Sequence, residues 1–399
     1  MLKFYSANAR SSNSARVIDE CLELAFENQI PSDCRIVMIN ATLGHQLNKL
    51  AAILNEKLPG VTVLGNSCAG VTGRAGVGES MHDLALMAVS GPSEEVAFFS
   101  INEMYGHNSY EKGLELAEGL KKIIPNAKAI YLLCPGIGIA NDLVIKAFDE
   151  VFGEDIVLFG GTSSDNMKAL ASYQYAGELT EHGAWAVGFA DPSLEAVTRA
   201  AHGFTVYGDP MVVTKAEGNK IHELDGRPAW QVFTSRLGLD STDGTACSDT
   251  IPVGAMAEEL PSAAAEEYGN SHILRAMLKF DADGTIYYPV TCSVGTKLWL
   301  TMRDEDLIFS EQSRSLKHLK TIIGERRPVA VFQTDCLARG RLLFNKVVKD
   351  ELIAMLHSEL SEAGVVPPWF GMYGFGEYTR LGGKNEYHNY STALLVLYR

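Results

Sequence analysis

The apolar residues of the first 160 positions alternate between helical spacing and short continuous runs, a rhythm that few architectures accept. Val17, Ile18, Cys21, Leu22 and Ala25 recur at helical spacing, and residues 35–40 then read as a buried strand. Leu47, Leu50, Ala51, Leu54 and Leu58 predict a second amphipathic helix, ended by Pro59-Gly60. Strands follow at 61–65, 84–89 and 96–101, a helix at 110–124, a strand at 129–133, a helix at 142–151 and a strand at 156–159. Such alternation implies a mixed sheet with helices packed on it. From about residue 172 the texture changes to hairpins: 173–179 with 184–189, then 211–215 with 220–224 about the turn Glu217-Gly218-Asn219. A short helix is expected at 228–236, strands at 274–280, 285–288 and 297–302, a helix at 307–323, a strand at 329–332, a helix at 344–363 and a closing strand at 393–398. The fold class is mixed α/β (α+β), with two sheet-containing domains divided near residue 195, 1–195 and 196–399, the second richer in hairpins. No internal repeat of short period is apparent.

A chain of 399 residues exceeds what one hydrophobic core usually serves, in keeping with two domains. Its net charge of -15, with no Lys/Arg cluster to interrupt it, argues against binding a phosphate backbone. No run of about 18 apolar residues suggests a membrane span, and the first residues lack a secretory apolar core. The seven scattered cysteines contain no Cys-x-x-Cys, so neither a zinc knuckle nor a disulfide framework is expected. A cytoplasmic location follows as an expectation.

Several stretches carry local chemistry. Residues 70–78 (GVTGRAGVG) lack the Gly-Lys-Ser/Thr ending of a phosphate loop and read as a flexible loop, with a pocket wall as its candidate role. Residues 134–138 (CPGIG) occupy a strand-to-helix turn, but Asn141 stands where a dinucleotide fingerprint needs its third glycine. In 159–166 (FGGTSSDN) a strand ends in two glycines and a polar run, Thr162, Ser163, Ser164 and Asp165. These residues suit a ligand at a sheet's end and equally a turn capped on its own amides. Cys336 beside Arg339 offers either a low-pKa thiol, with His318 or His357 as distant bases, or an anion clamp. Residues 369–378 (WFGMYGFGEY) and 387–392 (YHNYST) combine rings with glycines, placing Tyr373, Gly376, Glu377, His388 and Asn389 as candidates for a pocket wall; a packed aromatic core is the alternative.

Taken together and in order, these segments resemble the FIST family in both its N-terminal and C-terminal parts. The matching pieces are residues 65–70 with 84–90, 159–165, 203–215, 221–226 with Pro228-Ala229, 329–339, and 371–377 with His388, Asn389 and Thr392. The resemblance implies an intracellular signal-transduction sensor that binds small ligands. No output domain is read in this sequence. A chain holding both FIST parts alone is similar to the NosP group, haem-binding nitric-oxide sensors that act on a partner histidine kinase or cyclic-di-GMP enzyme. That likeness implies haem b, with His388 as the axial-ligand candidate and His182, His202 and His222 as rivals. The alternatives are a sensor of a small polar metabolite such as an amino acid, using Ser163, Asp165 and Arg339, and a cysteine-dependent enzyme using Cys336. No catalytic constellation is recognised.

Overall fold

The structure, a computed structural model, describes residues 1–27, 29–166, 168–240, 256–277, 279–340 and 344–399. The first unit runs β1 (Lys3–Arg10), α1 (Ser14–Phe26), β2 (Cys34–Thr42), α2 (Leu47–Lys57), β3 (Thr62–Cys68), β4 (Val71–Gly73), β5 (Gly76–Gly78) and β6 (Asp83–Ser90). The second repeats that order: β7 (Val96–Ile101), α3 (Ser109–Ile123), β8 (Ala129–Cys134), α4 (Asn141–Phe152), β9 (Val157–Thr162), β10 (Gln174–Ala176), β11 (Leu179–Thr180) and β12 (Ala184–Phe189). The third opens with β13 (Glu195–Ala201) and is then interrupted. The insertion holds β14 (Phe204–Glu217), β15 (Lys220–Leu224), β16 (Arg227–Pro228), α5 (Ala229–Arg236), β17 (Met256–Glu259), α6 (Ser262–Tyr268), β18 (His272–Arg275), β19 (Lys279–Phe280), β20 (Ile286–Tyr287) and β21 (Lys297–Arg303). The third unit resumes with α7 (Glu305–Ile323), β22 (Pro328–Cys336), α8 (Lys346–Leu360), β23 (Trp369–Gly374), β24 (Gly376–Leu381), β25 (Lys384–His388) and β26 (Thr392–Tyr398).

The mixed α/β class is as the sequence predicts, but the sheets reveal a threefold plan. Each unit contributes one parallel pair joined through a helix, β2–β3, β8–β9 and β22–β23, flanked by antiparallel strands. Each unit then gives its hairpin away. The β4–β5 hairpin pairs with β23, β10–β11 with β3, and β24–β25 with β9, so hairpins pass cyclically around the three sheets. Strands on both sides of residue 195 therefore share sheets. The insertion forms a fourth sheet in the order β18-β17-β21-β14-β15-β20-β19, with β16 on β15.

Residues 70–78 are a hairpin, where the sequence suggests a flexible loop. Their glycines answer to close packing: a Cβ at Gly73 would overlap Asn8, and one at Gly78 would overlap Asp83. β17 and α6 have no counterpart in the sequence reading, and residue 278, within the expected strand 274–280, lies outside the described residues. Parallel pairs covered on both faces must be apolar throughout, and in β2 every residue but Arg35 is buried. The inner faces of the three sheets meet in one core. There Tyr131 packs on Phe332 (centroids 5.3 Å apart) and on Trp185 (5.7 Å), with Phe4, Phe159 and Phe370 around them. Helices α3 and α4 share a second core with the fourth sheet, and this contact frames the cleft described below.

Candidate functional site

The polar run after β9 lies in the interior, where the three third strands of the units end together. The Ser164 backbone N–H donates to the Ser67 carbonyl (3.0 Å), and its hydroxyl donates to the Tyr373 carbonyl (2.7 Å). Ser67 returns a hydroxyl to the Ser164 carbonyl (2.8 Å), and the Ala69 N–H donates to the Ser164 hydroxyl oxygen (3.0 Å). Ser163 bonds the Cys134 carbonyl through its N–H, and the Thr162 carbonyl accepts from Phe375. All three residues are fully buried, and their groups hold strand ends together. Asp165 is a turn organiser: its carboxylate accepts from the backbone N–H of Lys168 (2.8 Å), Ala169 (3.1 Å), Leu170 (2.8 Å) and Ala171 (3.4 Å).

The other candidates form a second buried polar region, at the end of β22–β23 and along β24–β25. Cys336 is not the low-pKa thiol the sequence allows. Burial, then the nearby Glu377, push its thiol well above the usual range, and the Arg339 charge acts in the opposite direction. His357 packs edge-on against Trp369, and His318 sits beside Arg199 and Arg314; no described contact joins either to Cys336. Arg339 donates to the His202 carbonyl (2.9 Å) and lies over the Phe344 ring. With Asp335, Lys349 and Tyr373 it lines an interior cavity of about 10 Å³, room for a single water. Burial raises the Asp335 carboxyl despite the charge of Arg339. Lys349 is itself ion-paired with Glu79.

A Cβ at Gly376 would overlap the Tyr387 hydroxyl, which explains the glycine without a ligand. Asn389 accepts from the Ala276 N–H (3.0 Å) and donates to the Phe375 carbonyl (2.7 Å). Burial holds the Glu377 carboxyl well above the usual range. Its Oε2 accepts from Ser391 through the hydroxyl (2.7 Å) and the N–H (3.3 Å).

His388, the direct cross-strand neighbour of Glu377, has no exposed surface. Burial, then the Arg275 and His202 charges, drive its imidazole well below the usual range. Its Nδ1 faces the Tyr268 hydroxyl (3.2 Å), and the rings run His202, Tyr268, His388 with centroids 5.2 and 5.4 Å apart. Its Nε2 has no protein partner, yet His388 lines none of the described cavities. A macrocycle needs an open slot beside its axial imidazole, so the surroundings of His388 do not fit haem. His202 is satisfied on both nitrogens: Nδ1 accepts from the Phe204 N–H (2.9 Å), which leaves the proton on Nε2, donating to the His272 carbonyl (3.0 Å). His222 pairs with the Thr285 hydroxyl (3.0 Å).

Of the four histidines named as haem-ligand candidates, His182 alone lines a described cavity of ligand size. A cleft of about 830 Å³ opens between the second unit and the fourth sheet. It lies at the carboxyl ends of the parallel pair β8–β9, the usual ligand position in open α/β sheets. Its floor is the turn at Ile137–Gly138, and one side is the segment from Ala169 to Ser172, of which Asp165 holds the amides of Ala169, Leu170 and Ala171. Tyr105, His107 and His182 form an aromatic wall: the Tyr105 ring lies 4.5 Å from that of His182 and is nearly parallel to that of His107. Facing them from the fourth sheet are Lys220, Lys279 and Tyr287. Tyr105, His107, Lys279 and Tyr287 carry no motif signal in the sequence. What the sequence did offer was the Cys134–Gly138 turn and the Glu217-Gly218-Asn219 hairpin turn, both of which border the cleft.

Family models for the FIST N domain and the FIST C domain match residues 35–227 and 229–380. The chain belongs to the FIST family. FIST domains are associated with sensory signal transduction. The uncharacterised proteins Mb0898c of Mycobacterium bovis and MT0897 of Mycobacterium tuberculosis are each 24% identical to this FIST chain over 212 residues, 53% of it. The chain spans about half the length of these curated relatives, 52% in each case. Among solved structures, a cyanuric acid hydrolase described as an innovation by structural concatenation aligns over 100% of both chains, at 11% identity and a TM-score of 0.36. Phosphoribosylformylglycinamidine synthase II of Thermotoga maritima aligns over 72% of its own chain and 100% of this one, at 9% identity and a TM-score of 0.23. Likeness at these levels carries no inference about activity. Among the described residues no helix is long and apolar enough to cross a membrane, and no cluster of His, Cys, Asp or Glu has the form of a metal site.

Proposed function

We propose that this chain is a cytoplasmic sensory module whose small ligand enters the cleft between the second unit and the fourth sheet. One observation carries the reading: this is the described cavity of ligand size that sits at the carboxyl ends of a parallel pair and gathers rings and charges from two parts of the molecule. A ligand there touches both walls, so its binding energy favours whichever spacing of unit and sheet fits it best. A partner protein reads that spacing; the resemblance points to a histidine kinase or a cyclic-di-GMP enzyme. Asp165 acts at one remove, by holding the 168–171 amides that shape one wall.

The small polar metabolite reading is favoured over haem held by His388, because the residues around His388 leave no slot for a macrocycle. Haem and nitric oxide rest on the resemblance alone. A thermal-shift screen of small acids, amino acids and nucleosides tests the proposal, since a ligand at 100 times its Kd stabilises the folded state by about 2.7 kcal/mol. The expected result is a hit whose shift disappears in Tyr105→Ala and His182→Ala. A shift that survives both changes would refute the cleft. The parallel test is the visible spectrum after haem loading: a Soret band that shifts with nitric oxide and disappears in His388→Ala or in His182→Ala would overturn the preference stated here.

A further inference from the structure

The fourth sheet presents an unusual row to the cleft. Strand β20 lies between β15 and β19, and Tyr287 is directly opposite Lys220 on one side and Lys279 on the other. Residues opposite each other on adjacent strands share a face, so Lys220, Tyr287 and Lys279 stand side by side. The two lysines leave strands about 10 Å apart, twice the ~4.8 Å strand spacing, yet both ammonium groups lean over the same ring. Lys220 Nζ is 5.3 Å and Lys279 Nζ 4.2 Å from the Tyr287 centroid. Among the described residues neither makes an ion pair with a carboxylate. The Tyr287 hydroxyl donates to Asp281 Oδ2 (2.9 Å), and Glu217 and Glu181 lie at the cleft's rim. Both ammonium groups border the cleft beside one ring, so an anionic group at this row is attracted by both charges. Across the cleft, Tyr105 offers a ring beside His182, 37% exposed and available for stacking.

From this pairing we infer that the ligand of the cleft is a planar ring bearing one anionic group, a carboxylate or a phosphate. The anion sits on Lys220 and Lys279, and the ring lies against Tyr105. The inference rests on the cleft's being the ligand site and adds the ligand's chemical class. A single anionic group suits the site better than an extended polyanion, because Glu181 and Glu217 repel charge that reaches the rim.

The test uses two matched pairs of probes, nicotinate with nicotinamide and AMP with adenosine, titrated calorimetrically against the full chain. At least one acid binds tenfold or more tighter than its neutral partner, and the arm that does so separates carboxylate from phosphate. In Lys220→Gln/Lys279→Gln that preference disappears while the neutral probe's affinity is unchanged; Lys279→Arg keeps the preference. Equal binding of acid and neutral probes, a preference that persists in the double variant, or no binding by either acid overturns the inference. The two levels fail separately. If neutral rings bind and Tyr105→Ala abolishes that binding, the cleft stands and the anion falls. If binding ignores Tyr105 and both lysines, the cleft falls as well.

Discussion

The carboxyl ends of β8–β9 and of β22–β23 occupy equivalent places in the threefold plan, and they have opposite characters. At β22–β23 the space is filled: Asp335, Arg339, Lys349 and Tyr373 surround a void of about 10 Å³. At β8–β9 the space is an open cleft of about 830 Å³ whose charged side chains face solvent. The first arrangement spends its polar groups on one another. The second leaves them available, which is what recognition of a ligand requires. Equivalent topology thus supplies a structural knot in one unit and a candidate site in another.

The largest effect that separates the two ends is expected at Arg339. Replacing it with Met removes the bond to the His202 carbonyl and leaves Asp335 without its buried counter-charge. The cost is about 3 kcal/mol, read by urea denaturation, with ligand binding in the cleft retained. Asp165→Ala comes next and should touch both regions. Four backbone amides lose their acceptor, which lowers stability by about 2 kcal/mol and weakens cleft ligands as well.

A third variant uses pH. The buried Glu377 carboxyl has a folded pKa above its unfolded one, so the folded state keeps its proton where the unfolded state has lost it. Stability from this group is full below about pH 4, the unfolded value, and is lost as pH rises toward the folded pKa. Glu377→Gln keeps an acceptor for Ser391 and removes that loss. The variant should gain about 1 kcal/mol or more relative to wild type between pH 4 and pH 8, by thermal melts at both. An unchanged difference across that range would mean that Glu377 is ionised. The smallest effects belong to the cleft, where Tyr105→Ala and His182→Ala should alter stability by no more than about 0.5 kcal/mol while removing the ligand-induced shift. Iodoacetamide adds a kinetic contrast: buried Cys336 should label more slowly than half-exposed Cys292.

Much of the architecture is readable from the sequence because it is local. Helical stripes such as Val17, Ile18 and Cys21 and runs such as β8 declare themselves within a dozen residues. The hairpin exchange is not local: that Thr72 pairs with Gly371 is a fact of topology, and Gly73 reads as loop because Asn8, the neighbour that requires a glycine there, lies far along the chain. The site divides in the same way. Dense motifs such as Thr162–Asp165 and Gly376–Asn389 mark where strand ends must interlock, and this demands particular small and polar residues. The cleft is assembled from single residues, Tyr105 and His182 on loops and Lys279 on β19, none of which forms a pattern with its sequence neighbours.

The claim that the open end, and not the buried one, holds the ligand can be tested in a single measurement. With the strongest hit of the thermal-shift screen at saturation, the ligand-induced rise in Tm is compared for wild type, Tyr105→Ala/His182→Ala and Glu377→Gln. The account predicts a rise kept in Glu377→Gln and absent in the cleft double variant. A rise kept in the cleft variant and lost in Glu377→Gln would contradict it.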